Sequence, residues 1–299
     1  MARKKRKGVH PLVSAATLAP LAIALLTPKT RPTEPAVSRA AMVSTCTLPF
    51  ASIQQHHPID DSCGPEGVAT KTPQIQQNQA KNNFCATGVP VDIDFDVLHE
   101  LQRDAEDQNI SFGSDGQIPD DRSVLRSLPT RAGRLGEGTV VRLAAFVVDA
   151  HYSNVSNGES VNCKMSGTEN NDIHIVLGEK SNAKGDECAS VTAEMSPHFR
   201  PELWTPKTLN DGNAHMYRFT GQLFFDASHR PCANGKGSPK RSSIWEVHPV
   251  YAVDVCKAAS CDVANDTNWE PLAAGEEEED PSETRLVLPD DISREFGRR

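Results

Sequence analysis

Four times in the second half of this 299-residue chain a carboxylate stands a few positions ahead of a histidine: Asp172 and His174, Glu194 and His198, Asp226 and His229, Glu246 and His248. Each pair falls at or near the end of an apolar, alternating segment. A carboxylate beside an imidazole can fix its tautomer, raise its basicity or complete a metal site with nitrogen and oxygen ligands. With His174 and His248 on neighbouring strands, the two imidazoles and Asp172 or Glu246 as a third ligand form a candidate metal-ligand set. Glu194 or Glu246 is then the candidate general base. The competing reading makes the pairs surface or strand-edge histidines whose hydrogen bonds hold strands and loops together. No H-x-H or H-E-x-x-H spacing occurs, so the pattern alone does not choose between the two.

A second candidate site is the stretch HRPCANGKGSPKRS, which carries Arg230, Lys236, Lys240 and Arg241 among glycines and prolines. Such a basic loop can hold a phosphate or another anion, and it can equally be a solvated surface loop. The stretch HYSNVSNGESVNCKMSGTENND is polar and amide-rich, which suits sugar hydroxyls better than a charged backbone. Platforms for stacked bases are scarce: Tyr152, Phe199, Trp204, Tyr217, Phe224, Trp245 and Tyr251 supply them, and several are needed for a core. Nucleophilic catalysis has little support. There is no G-x-S-x-G elbow and no phosphate loop, and Ser196 lies only two residues from His198, a spacing that does not face the pair productively in a strand.

The elements that must position these groups lie between Gly138 and Cys256. GTVVRLAAFVVDAHY, NDIHIVLG and CASVTAEM alternate with period 2, SPHFRPELWTPKTLND breaks the pattern as a short helix, and MYRFTGQLFFD and SIWEVHPVYAVDVC resume it. Three strands, a helix and two strands is the order of an OB-like five-stranded Greek-key barrel, so the expected class is mainly β with flanking helices. That fold hosts many functions and leaves the activity open. Alternation puts Ile173, Ile175, Leu177, Trp245, Val247, Tyr251 and Val253 inside, and Asp172, His174, Glu246, His248 and Asp254 outside. Pro249 cannot donate to a ladder and marks an edge or a bulge.

Upstream, residues 46–130 read as a cysteine-containing helical and irregular region packed on a barrel of 136–262. Val97, Leu98, Leu101 and Ala105 recur at helical spacing behind a capping Asp94 or Asp96, and a second short helix is expected around Asp121 to Leu128. Residues 1–30 have the layout of an export signal or N-terminal anchor, with a basic cluster from Arg3 to Lys7 and an apolar run from Leu12 to Leu26 that is short for a membrane span. Residues 31–45 read as a flexible spacer and 263–299, with GEEEED, as an acidic disordered tail.

The formal net charge is −9, although the first 31 residues contain Arg3, Lys4, Lys5, Arg6, Lys7, Lys29 and Arg31 and no acidic side chain. The remainder is therefore strongly acidic, which disfavours bulk nucleic-acid binding and charge-driven membrane binding. Eight cysteines, Cys46, Cys63, Cys85, Cys163, Cys188, Cys232, Cys256 and Cys261, are an even number without paired C-x-x-C motifs. They read as disulfides of an oxidising, extracytoplasmic compartment, with pairing inside regions such as Cys63 with Cys85 and Cys163 with Cys188.

The phrases NNDIHI, C-x-S-V-x-A-E-x-S-P-H-F-R-P and W-E-V-H-P-V, with CGPEG and QNQAKNNFC upstream, resemble uncharacterised exported bacterial proteins with an OB-like barrel. The resemblance covers about Gly138 to Cys256 and implies a scaffold without a known activity. The leading expectation is an exported, disulfide-braced binding module of the cell envelope or exterior. Its extracytoplasmic ligand is an oligosaccharide or a phosphate-bearing molecule, with no cofactor and no transmembrane span in the mature chain. The rival is a metal-dependent, phosphodiesterase-like hydrolase holding a divalent ion. A third reading is an envelope scaffold with no small ligand.

Overall fold

The computed structural model describes residues 58–181, 186–212 and 214–272. The signal-like segment, the spacer, Cys46 and the chain beyond 272 lie outside the described residues.

The architecture is mainly β, a closed five-strand barrel with few helices. Strands β1 (Val91–Ile93), β2 (Leu128–Thr130) and β3 (Gly133–Leu135) precede it. The barrel itself is β4 (Val140–Tyr152), β5 (Ile173–Gly178), β6 (Val191–Met195), β7 (Met216–Phe225) and β8 (Trp245–Cys256), followed by β9 (Trp269–Pro271). Long β4 pairs antiparallel with β7 along its first half and with β5 along its second, the change of partner accompanied by a register shift between Val147 and Asp149. The ring closes through β5–β6, a parallel β6–β8 pair and β8–β7. Adding β1 parallel to β4 and β9 antiparallel to β8 extends the sheet beyond the barrel.

Period-2 alternation fills the interior. Ile173, Ile175, Leu177, Val191, Ala193, Met195, Phe219, Leu223, Phe225, Trp245 and Val247 form one buried cluster, with the Phe225 and Trp245 rings 5.0 Å apart. Each of the Val, Leu, Ile, Phe and Met side chains among them contributes about 1.5–3 kcal/mol on leaving water. Tyr251 departs from its expected place. The β7–β8 register slips on both sides of the Gly221–Val250 pair, next to Pro249, which has no N–H for the ladder. The phase shifts there, and Tyr251 turns outward into a small cluster with Phe84, Ala86 and Val140, its hydroxyl donating to the Asn83 carbonyl at 2.6 Å.

Among the described residues three helices accompany the barrel: α1 (Thr72–Lys81), α2 (Phe95–Asp107) and α3 (Pro206–Asp211). Helix α2 starts where expected, because Asp94 accepts from the Val97 N–H at 3.1 Å. It buries Phe95, Val97, Leu98, Leu101 and Ala105 in the barrel's own cluster. The expected helix after Asp121 is a single 3-10 turn, Arg122–Leu125, capped by that aspartate. Helix α3 occupies the break between β6 and β7, capped by Thr205.

The region read as tail begins in order. Trp269 is buried, its indole N–H donates to the Asp262 carbonyl at 2.8 Å, and β9 adds to β8. Among the described residues no helix is long and apolar enough to cross a membrane. Among the described residues three disulfides join Cys63 to Cys163, Cys188 to Cys232, and Cys256 to Cys261. The first ties the upstream region to the barrel and the second joins two loops of the barrel region, so the expected pairs Cys63–Cys85 and Cys163–Cys188 do not form. Closure of the barrel brings distant loops together in a way that sequence proximity does not reveal.

Candidate functional site

Sheet register builds the site. Across the outer face of the barrel His151 on β4 stands opposite His174 on β5, and His174 opposite Glu194 on β6. The parallel pairing of Ala193 with Val247 sets Glu194 beside His248 on β8. Four chemistry-bearing residues therefore share one row, and Asp172, just before β5, and Glu246, two residues from His248, flank it. His248 Nδ1 lies 2.9 Å from Glu194 Oε2 and 3.5 Å from Glu246 Oε2, and its Nε2 is 4.0 Å from Asp172 Oδ2. The close His248–Glu194 pair lacks hydrogen-bond alignment, and it attracts as charge on charge.

This face is outside the barrel but not outside the protein. Helix α1 lies across it and turns Gln77, Asn78 and Lys81 inward. Gln77 accepts from Ala227 N and from Arg122, Asn83 donates to Gln222, and Lys81 Nζ reaches Glu159 at 3.7 Å and Glu194 at 3.9 Å. The loop between β4 and β5 closes a second side, where Asn162 donates to Asp172 at 3.1 Å beside the Cys63–Cys163 bridge. The expectation of solvent-facing pairs is corrected accordingly: Asp172, His174, Glu194, Glu246 and His248 are all buried. A polar barrel face needs a polar cover, and an amide-rich helix supplies one.

Above the row opens a cleft of about 770 Å³. His174, Glu194, Lys81 and Asp226 reach it from below, and Asp172, Glu246 and His248 sit one layer deeper. Its walls are Gln74, Asn78, Ser153, Asn154, Ser160 and Ser228, with Tyr152, His151 and His229 at the sides.

Burial and charge set the ionisation. Burial is the largest influence on His248 and lowers it, but the field of Glu194 wins and the imidazole is pushed up to about 10. Burial, reinforced by Glu159, pushes the Asp172 carboxyl up to about 6. Burial raises Glu194 too, yet Lys81 and His248 outweigh it and hold the carboxyl below the usual range. Lys81 loses to burial and regains more from Glu194 and Glu159, ending well above the ordinary lysine value. Burial lowers His174 despite Glu194 nearby.

A second chain of charge runs beneath the cleft. Asp226 receives His229 Nδ1 at 2.5 Å and Arg241 at 2.7 Å, and Arg241 also pairs with Glu246. The hydrogen bond to Asp226 raises His229, whereas Asp226 is raised by burial and held well below the carboxylate range by His229 and Arg241.

No family model, no curated protein and no solved structure matches this chain.

The sequence-derived residues divide as follows. Asp172, Glu194 and His248 each offer a donor atom within 4.8 Å of the others'. Glu194, expected as a base, therefore occupies the place in the trio that was expected of His174, which instead touches Glu194 Oε1 at 3.5 Å. Glu246 adjoins the trio. His198 goes elsewhere and pairs with buried Asp60. In the basic loop Arg230 donates to Gln117 and Lys240 pairs with Glu187 at 2.7 Å, both exposed, and Lys236 is exposed. Arg241 is 0% exposed, so it braces Asp226 and Glu246 and does not face a ligand in solution. Lys81, Gln77 and Asn78 were missed because α1 carries no apolar stripe. Pro73 in its first turn was the available signal.

Proposed function

We propose that this chain is an exported, disulfide-braced binding module on an OB-like barrel, and that its cleft takes a hydroxyl-rich, weakly charged ligand of oligosaccharide size. The strand ring with one parallel pair and α3 between β6 and β7 supports the OB-like reading. Three disulfides support an oxidising compartment. The observation that carries the ligand class is the cleft wall. Side-chain amides and hydroxyls line it. Of its cations, Lys81 and His229 are already paired with Glu159, Glu194 and Asp226, and Lys164 rests on the Gly158 carbonyl, so cations do not outnumber carboxylates there. An anionic ligand would meet Asp115, Glu159, Glu194 and Asp226 there. Tyr152, backed by Arg200 at 5.3 Å from its ring centre, offers a flat face to a sugar ring.

Calorimetric titration with cellotetraose, chitotetraose and tetrathymidylate tests the reading. One of the two glycans is expected to bind, and Tyr152→Ala to weaken it by about tenfold, roughly 1.4 kcal/mol. Binding of tetrathymidylate alone, or no binding by either glycan, would sink it. A metal-dependent hydrolase is the second reading, favoured by the buried carboxylates and imidazoles at the floor.

A further inference from the structure

The geometry points to a divalent-cation site at the floor of the cleft, with Asp172, Glu194 and His248 as its protein ligands and Mn²⁺ or Zn²⁺ as its occupant. Strands β6 and β8 deliver Glu194 and His248, and Asp172 is the residue directly before β5, so the sheet register sets their mutual placement. One oxygen or nitrogen of each lies within 4.8 Å of the others, a separation that one ion can bridge by small side-chain rotations.

What singles the cluster out is what its atoms lack. Asp172 Oδ2, Glu194 Oε2 and His248 Nδ1 are buried without a hydrogen-bond partner, and so is Glu246 Oε2 beside them. Buried polar atoms are ordinarily satisfied, because leaving one unsatisfied costs about 1–3 kcal/mol and more when it is charged. Within the metal-free protein the His248 imidazole meets the three carboxylates only as charge, and one cation within reach of Asp172, Glu194 and His248 would take up their open positions together. His174 is an independent pointer. It is 7% exposed, neither ring nitrogen has a hydrogen bond, and Nε2 is turned toward Glu194.

Two carboxylates with one imidazole form a mixed donor set. Oxygen ligands alone favour Mg²⁺ or Ca²⁺, and the imidazole shifts preference toward Mn²⁺ and Zn²⁺. Glu194 also lines the cleft, which gives the ion an entry path and places it against whatever the cleft holds. An ion there polarises a carbonyl or phosphoryl oxygen of that ligand, the chemistry that would make the cleft hydrolytic. The inference does not depend on the glycan reading, since the ion is assayed alone.

The full chain, stripped with chelator, is titrated calorimetrically with Mn²⁺ and with Zn²⁺. One ion per chain is expected for at least one of the metals. Asp172→Asn and Glu194→Gln, both isosteric, are each expected to weaken it by about 100-fold or more, while His215→Asn, at an exposed position away from the cleft, leaves it unchanged. Because either ligand variant can fail to fold, crystals of the unmodified protein soaked in the same metal supply a second measurement. An anomalous-scattering peak between the three side chains is expected. Absence of binding, a peak at another place, or folded ligand variants that bind like the unmodified protein would overturn the assignment.

Discussion

Arg241→Met is expected to destabilise the protein by about 3–5 kcal/mol, the range for removing one member of a buried charged network. The guanidinium is 0% exposed, bonds Asp226 at 2.7 Å and pairs with Glu246, itself fully buried. Burial alone would lower the arginine, but Glu246 and Asp226 outweigh it and hold its charge firmly. Taking the cation away leaves two buried carboxylates whose remaining ion-pair partners are His229 beside Asp226 and His248 beside Glu246. Urea unfolding at neutral pH measures the loss, and adding Asp226→Asn and Glu246→Gln to the same chain should recover most of it. A loss below about 0.5 kcal/mol is what an exposed basic loop would give, since surface substitutions rarely exceed that.

Asp172→Asn is expected to have the opposite sign. In the metal-free fold the carboxyl titrates at about 6 against an ordinary 3.8, so folding favours its protonated form. Below about pH 4 both folded and unfolded chains hold the proton and the group costs nothing. From there up to about pH 6 the unfolded chain ionises while the fold keeps its proton, so stability falls, and above 6 the fold carries a buried carboxylate at a full cost of about 3 kcal/mol. Asparagine keeps the Oδ1 acceptor used by Asn162 and never ionises. In chelator the variant should be more stable by up to about 3 kcal/mol at pH 7 and equal at pH 3.5. With saturating Mn²⁺ or Zn²⁺ the order should reverse, because only the unmodified chain gains from the ion. A variant that is less stable at pH 7 in chelator would show that Asp172 serves the fold and not a ligand.

The barrel was legible because its interior obeys one rule, alternation. Ile173, Trp245, Val247 and Phe225 are where period 2 puts them. Helix α2 was legible because its apolar spacing and Asp94 cap agree. Tyr251 was misplaced because Pro249 resets the phase, an effect visible as a proline but not as a direction. The row from His151 to His248 was half legible. Alternation assigns Asp172, His174, Glu246 and His248 to the outer face, but which outer residues become neighbours depends on register across four strands. Glu194 and His198 look like one pair in the sequence and part company at the end of β6. What hid most was the cover. Helix α1 buries Gln77, Asn78 and Lys81, and a polar helix over a polar face leaves no hydrophobic trace. For the same reason Arg241, in a glycine- and proline-rich segment, read as surface.

Everything proposed for the cleft requires that the carboxylate–histidine row lie beneath α1 and the β4–β5 loop. Deuterium exchange at the imidazole C2 positions, followed by mass spectrometry across pH, reports accessibility and ionisation for each histidine in one experiment. In the metal-free protein His248 is expected to exchange slowly and to stay protonated up to about pH 10, and His174 to exchange slowly and titrate below 6.5. His151 and His229, with side chains 53% and 42% exposed, should exchange fast. If His248 and His174 exchange at the rate of open surface residues and titrate at the ordinary 6.5, the row is solvent-facing and the covered site does not exist.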